Sequence, residues 1–79
     1  MPIQVLFFGS TAAITGKRQT DVDLPEGATA GEVFEQLLAE YPLLAFRQLL
    51  FSINQQYANG DEIVRDGDEL AIFTAVSGG

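Results

Sequence analysis

Two glycines, Gly78 and Gly79, close the sequence, preceded by the small uncharged residues Ala75, Val76 and Ser77. Glycine has no Cβ and accepts backbone angles closed to other residues. A segment built this way can thread a narrow channel and offer a bare carbonyl to another protein's active site. From Ala75 onward it reaches roughly 15 Å, at about 3.3–3.6 Å per residue. An α-carboxyl is ionised near neutral pH, with a pKa of roughly 3.3–3.7. A carboxylate is a poor electrophile, so such a group must be activated before a nucleophile can add to it. A frayed end is the competing reading, and the glycine pair alone does not decide between the two.

The other candidates are weaker. Asp66, Asp68 and Glu69 could suggest a cation site, but "DGD" ahead of a strand is turn chemistry and lacks the spacing of a calcium loop. Arg47 and Arg65 could steer a partner or ligand, as any surface arginine could. The chain has no His and no Cys, so zinc, haem and iron–sulfur sites lack their usual ligands. Cysteine nucleophiles and serine–histidine relays are excluded with them. No metal site is expected.

Seventy-nine residues make one small domain, which buries roughly 60% of the surface its unfolded chain exposes. The formal charge is −7, with Lys17, Arg18, Arg47 and Arg65 the only basic side chains. That balance argues against nucleic acid and anionic membrane as partners and favours a protein with a basic docking surface. No apolar run approaches the ~20 residues of a membrane span, and no basic stretch precedes an apolar one as in a signal peptide. A cytoplasmic protein is expected. Hydrophobic residues nevertheless make up 47% of the chain, more than so small an interior accommodates, so an exposed apolar binding face is expected.

The elements that must position the glycine tail follow from patterning. "IQVLFFG" (3–9) is an apolar, β-branched and aromatic run that reads as a central strand. In "STAAITG", Ser10 is placed to cap a short helical turn and Gly16 to end it. "TDVDL" (20–24) alternates as a strand with one wet face does, and "PEG" turns the chain. Thr29 and Glu32 stand at capping-box spacing. Val33, Phe34, Leu37, Leu38 and Tyr41 then recur at helical steps, opposite Glu32, Glu35, Gln36 and Glu40, until Pro42 stops the helix. "LLAFRQ" (43–48) permits a further turn of helix. "LLFSIN" (49–54) is the third strand, "EIV" (62–64) a short edge strand between two turns, and "ELAIFT" (69–74) the last and another central one.

One helix among four or five strands must cover one face of the only sheet. The expected class is α+β, a β-grasp or ubiquitin-like domain over 1–74 with a mixed sheet, followed by a flexible Gly-Gly tail at 75–79. Alternation places Val5, Phe7, Leu70 and Ile72 under the helix. Leu6, Phe8 and Phe73 then face away from it, beside the strand that leads into the tail. They are the candidate partner-binding patch, and Ala75, Val76 and Ser77 suit burial in a partner's groove.

Taken in order, "VLFFGSTAAITG", "LPEGATAGEVFEQLLAEYP", "INQQY", "DGDELAIF" and "VSGG" resemble the MoaD/ThiS family of sulfur carriers over essentially the whole chain. Within it the chain is most similar to the branch that serves molybdopterin synthase. Thiamin-pathway carriers tend to be shorter and to lack an insert like "STAAITG". Relatives often carry proline just before "VSGG", where this chain has Thr74 and Ala75, a departure that bears on the stiffness of the tail. The resemblance implies that a partner activating enzyme uses ATP to adenylate the carboxylate of Gly79. A sulfur donor would then leave a thiocarboxylate there. The loaded carrier would dock on the large, catalytic subunit of the synthase, and its sulfur would pass to a cyclic pyranopterin monophosphate during molybdenum cofactor biosynthesis. Gly79 would carry the sulfur and Gly78 would give it access. The resemblance implies no bound cofactor and no catalysis by the chain alone. It would be the small subunit of a heteromeric sulfurtransferase, two copies of each subunit together. A carrier for thiamin or another pathway, a protein modifier joined to lysines through Gly79, and an inert β-grasp interaction module are the alternatives.

Overall fold

The computed structural model describes residues 1–74; the expected tail, including the site residues Ala75, Val76, Ser77, Gly78 and Gly79, lies outside the described residues. Eight elements follow in order: β1 (Pro2–Phe7), α1 (Ser10–Thr15), β2 (Gln19–Asp23), α2 (Ala30–Glu40), a 3₁₀ helix (Pro42–Phe46), β3 (Leu49–Ile53), β4 (Gln56–Ala58) and β5 (Glu69–Thr74). The sheet order is β2-β1-β5-β3-β4. β1 and β5 run parallel, with Val5 beside Leu70 and Phe7 beside Ile72, while the remaining neighbours are antiparallel. This is the expected ubiquitin-like β-grasp, with its first and last strands side by side in the middle.

The core is the layer between the sheet and α2. Ile3, Val5, Phe7, Leu70 and Ile72 point into it from the strands, and Val33 and Leu37 from the helix, all buried. Each such side chain contributes roughly 1.5–3 kcal/mol on removal from water. α2 starts where its sequence says: Thr29 Oγ1 accepts the Glu32 N–H at 3.3 Å, and Glu32 Oε1 accepts the Thr29 N–H at 3.2 Å. It ends at Tyr41, whose ring stands edge-on to Phe7 at 6.0 Å, because Pro42 cannot continue it and instead opens the 3₁₀ helix.

Two expectations are corrected. Ser10 does not cap α1: Gly9 takes the N-cap position at φ +61°, Ser10 is the first helical residue, and no side chain caps the turn. The edge strand is not "EIV", where Ile63 makes only an isolated bridge to Thr29. It is Gln56–Ala58, folded back on β3 by a two-residue turn in which Asn54 (φ +49°) and Gln55 (φ +71°) both adopt left-handed backbone. Such turns match the twist of a hairpin. Asparagine tolerates that region, whereas glutamine gives no sequence signal for it. The turn is braced from outside, since Asn54 Nδ2 donates to Asp68 Oδ1 at 3.0 Å and Asn54 Oδ1 accepts the Glu69 N–H at 3.0 Å.

Two polar devices tie the ends of the sheet. Thr11 is fully buried, and its hydroxyl lies 2.6 Å from the Phe8 carbonyl oxygen and 3.1 Å from that of Ile72, pinning α1 to β5. At the other end the Glu62 carboxylate accepts the N–H groups of Asn59 and Gly60, each at 2.9 Å. That loop touches α2 so closely that a Cβ on Gly31 would sit 3.1 Å from the Gly60 oxygen.

Thr11→Val keeps the shape but leaves two carbonyls with one donor fewer. It is expected to cost about 1–3 kcal/mol in urea unfolding. The backbone donors, Asn59 first, hold the Glu62 carboxyl below its ordinary range. A lowered folded value gives stability that is present above the unfolded pKa and is lost as pH falls through the folded one. Melting curves of wild type and Glu62→Gln should therefore differ at neutral pH and converge below the ordinary carboxylate pKa of about 4.3.

Candidate functional site

With one main helix, the sheet keeps a second face open, and the apolar residues of that face are brought together by register. Leu6 lies beside Ala71, which lies beside Ser52, which lies opposite Tyr57. One step nearer the end of β5, Phe73 pairs with Leu50. The Phe8 N–H donates to the Ile72 carbonyl at 3.0 Å, carrying the β1–β5 ladder one residue past β1. The Tyr57 and Phe73 rings are 5.9 Å apart. Phe8 is 52% exposed, Leu50 40% and Tyr57 78%, while Leu6 and Phe73 are half-buried among them. Small side chains at Ala71 and Ser52 make the middle of the patch shallow. Gln4 Nε2 donates to Gln19 Oε1 at 3.1 Å along its polar rim.

The three residues expected to face away from the helix, Leu6, Phe8 and Phe73, thus do share that face. Leu50 and Tyr57 complete it and were missed. Leu50 was available from alternation, because the strand that puts Phe51 and Ile53 inward turns Leu50 outward. Tyr57 was not, because its strand depends on the Asn54–Gln55 turn.

The patch leads directly to the place where the chain leaves the sheet. β5 occupies the centre, and its last described residue, Thr74, pairs with Leu49. The chain beyond Thr74 therefore starts from the most firmly held strand, at the rim of the apolar face. Among the described residues no group of three or more acidic side chains is placed to hold a metal. Asp68 is spent on the turn, its Oδ1 accepting from Asn54 and its Oδ2 accepting the Arg65 N–H at 2.8 Å. No described helix is long and apolar enough to cross a membrane.

Comparison with known proteins agrees with this layout. The ThiS family matches residues 5–79. The chain is 38% identical to the molybdopterin synthase sulfur carrier subunit of Caenorhabditis elegans, covering 98% of this chain and 96% of that one. It is 32% identical to the subunit of the same name from Chlamydomonas reinhardtii, each covered completely. The crystal structure of SAMP1 from Haloferax volcanii superposes with a TM-score of 0.88 at 28% identity, again with both chains fully covered.

Because the patch side chains hold little of the core, Leu50→Ser with Tyr57→Ser should leave the urea midpoint within about 0.5–1 kcal/mol of wild type. Ile72→Ala, on the helix-facing side of β5, should cost about 2–5 kcal/mol in the same titration.

Proposed function

The chain belongs to the ThiS family, and from that premise we propose that it is the sulfur carrier subunit of molybdopterin synthase. The observation that carries this reading is the course of β5. It is the central strand, it borders the open apolar face and it ends at Thr74, five residues short of Gly79 in the sequence, in a chain that aligns end to end with a relative of that name.

The chemistry assigned to the tail is addition and elimination at one carbonyl. A carboxylate oxygen of Gly79 attacks the α-phosphorus of ATP on the activating enzyme, and pyrophosphate leaves. Sulfide then adds to the acyl carbon and AMP leaves, so that Gly79 ends as a thiocarboxylate. Gly78 gives the reagents room, and Ala75, Val76 and Ser77 line the partner's groove. The open face, with Leu6, Phe8, Leu50, Tyr57 and Phe73, is the surface offered to the large subunit. That subunit supplies the acid, base and anion-binding groups the body lacks, and holds the pterin precursor that takes the sulfur.

Modifier chemistry is the second reading, favoured by the likeness to SAMP1, at 28% identity, and to the structure of a small archaeal modifier protein 1 from Haloferax volcanii, at 26%. In it the same activated acyl group is captured by an amine in place of sulfur.

Intact mass after incubation with ATP, an activating enzyme and sulfide separates these readings. The expected result is a gain equal to one oxygen exchanged for sulfur, located on Gly79 by fragmentation, with no gain in a chain extended by one residue or ended as an amide. Conjugates on lysines of other proteins favour the modifier, and an unchanged mass in every arm rejects both. In the synthase assay, Phe73→Ser with Leu50→Ser should leave loading intact while weakening large-subunit binding at least tenfold.

A further inference from the structure

Of the two asparagines in the chain, Asn54 precedes Gln55 and Asn59 precedes Gly60. Asparagine followed by glycine is the pair most open to self-modification. The backbone nitrogen of the glycine can attack the asparagine Cγ, and no side chain crowds that approach. The fold nevertheless demands glycine at residue 60. Its φ is +110°, backbone that residues with a Cβ rarely adopt. Its carbonyl oxygen accepts the Gly31 N–H at 2.9 Å, in the first turn of α2. Asn59 is exposed, so solvent reaches the amide that would react.

In the closed loop the reacting groups are all held. The attacking nitrogen is engaged, because the Gly60 N–H donates to Glu62 Oε1 at 2.9 Å. The same carboxylate accepts the Asn59 N–H, at 2.9 Å through Oε2 and 3.1 Å through Oε1. One side chain therefore fixes the backbone on both sides of Asn59. The amide under attack is fixed too, since Asn59 Oδ1 accepts the Asp61 N–H at 3.0 Å. Ring closure requires the Gly60 nitrogen to lose its proton and face Cγ. Facing Cγ breaks the bond to Glu62. Losing the proton beside a carboxylate sets two negative charges together, which is unfavourable. These backbone donors, Asn59 first, hold the Glu62 carboxyl below its ordinary range, so it is anionic at neutral pH.

We propose that Asn59 is a deamidation site latched by Glu62: the closed loop holds the reaction off, local opening of residues 59–62 releases it, and the product prevents reclosure. In the open loop the Gly60 nitrogen gives its proton to solvent and bonds to Cγ. The Cγ–Nδ2 bond then breaks and ammonia leaves. Water opens the resulting five-membered imide at one of its two carbonyl carbons. Opening at Cγ gives aspartate. Opening at the former main-chain carbonyl gives isoaspartate, whose main chain runs through Cβ. No cofactor or oxidant takes part. The lengthened main chain, with a new carboxylate beside Glu62, no longer presents both N–H groups to it. The Gly60–Gly31 bond is lost with them, and so is the hold of the loop on α2. The latch is a one-way timer on the body, independent of the carrier reading.

The test incubates the full-length protein near neutral pH. Peptide mass mapping locates the exchange of NH2 for OH, and an isoaspartyl methyltransferase labels the β-linked product. The folded chain should convert at Asn59 about tenfold or more slower than the same chain unfolded in guanidinium. Glu62→Ala should raise the folded rate about threefold or more and speed exchange of the Gly60 amide proton. Thr11→Val weakens the fold far from this loop and should leave the Asn59 rate within about twofold of wild type, because the opening is local. The isolated isoaspartyl form should lose exchange protection at the Gly31 amide and melt below wild type. Equal rates in folded and unfolded chains overturn the latch, as does an unchanged rate in Glu62→Ala. An equal rise in Thr11→Val assigns the reaction to global unfolding and overturns it as well. An isoaspartyl form that keeps its Gly31 protection overturns the block on reclosure.

Discussion

The pairing of β1 with β5 is the contact on which the rest of the molecule depends. It joins the two ends of the chain in parallel, Val5 to Leu70 and Phe7 to Ile72. All four are buried. Parallel strands cannot be linked by a tight turn, so everything between them must form the crossover. That requirement places α2 across one face, with Val33 and Leu37 over the four paired residues. It also leaves β2 and the β3–β4 hairpin to extend the sheet outward. The pairing closes late in sequence and early in structural importance: without it neither α2 nor β3 has a surface to pack on.

Two consequences follow for the site. A sheet with one covering helix has one dry face and one open face, and period-two alternation sends half of every strand's residues to each. In β1 and β5 the second half is also largely apolar, through Leu6, Ala71 and Phe73, and an exposed apolar patch of this kind marks a binding face. The second consequence concerns the exit. β5 is held on both sides, by β1 and by β3, up to Thr74. Thr11 adds a buried hydrogen bond to the Ile72 carbonyl near its end. The strand that launches the tail is thus the least able to fray.

Where local sequence carried the physics, it was legible. The capping box at Thr29 and Glu32, the stop at Pro42 and the bounds of β5 need only nearby residues, and all are as expected. So is the outward direction of Leu6, Phe8 and Phe73, which alternation sets once β1 and β5 are paired. The β4 edge strand was not legible, because its turn has Gln55 in left-handed backbone and is held by Asp68, fourteen residues from Asn54. Tyr57 went unseen for the same reason. The capping residue of α1 was displaced by one because glycine, with φ +61°, makes the corner that Ser10 was expected to make. Charge was legible only as a total: composition gives a sum, and where Lys17, Arg18 and Arg47 stand relative to the carboxylates is set by the fold.

In the proposed role the body works with a partner's active site, and its size fits that role. A domain with one sheet and one main helix has a single core layer, and that layer is filled by side chains that hold the fold together. Among the described residues it buries no polar side chain apart from Thr11, which is committed to two backbone carbonyls. A closed, water-excluding site with its own acid and base would require a second layer. What the body can do is fix where β5 ends, at Thr74, relative to the open face. Docking that face holds the start of the tail in place, and holding a reacting pair together in this way is worth several kcal/mol. In the proposed role, then, the residues that govern rate are those that dock, and the chemistry is done by whichever enzyme receives the tail.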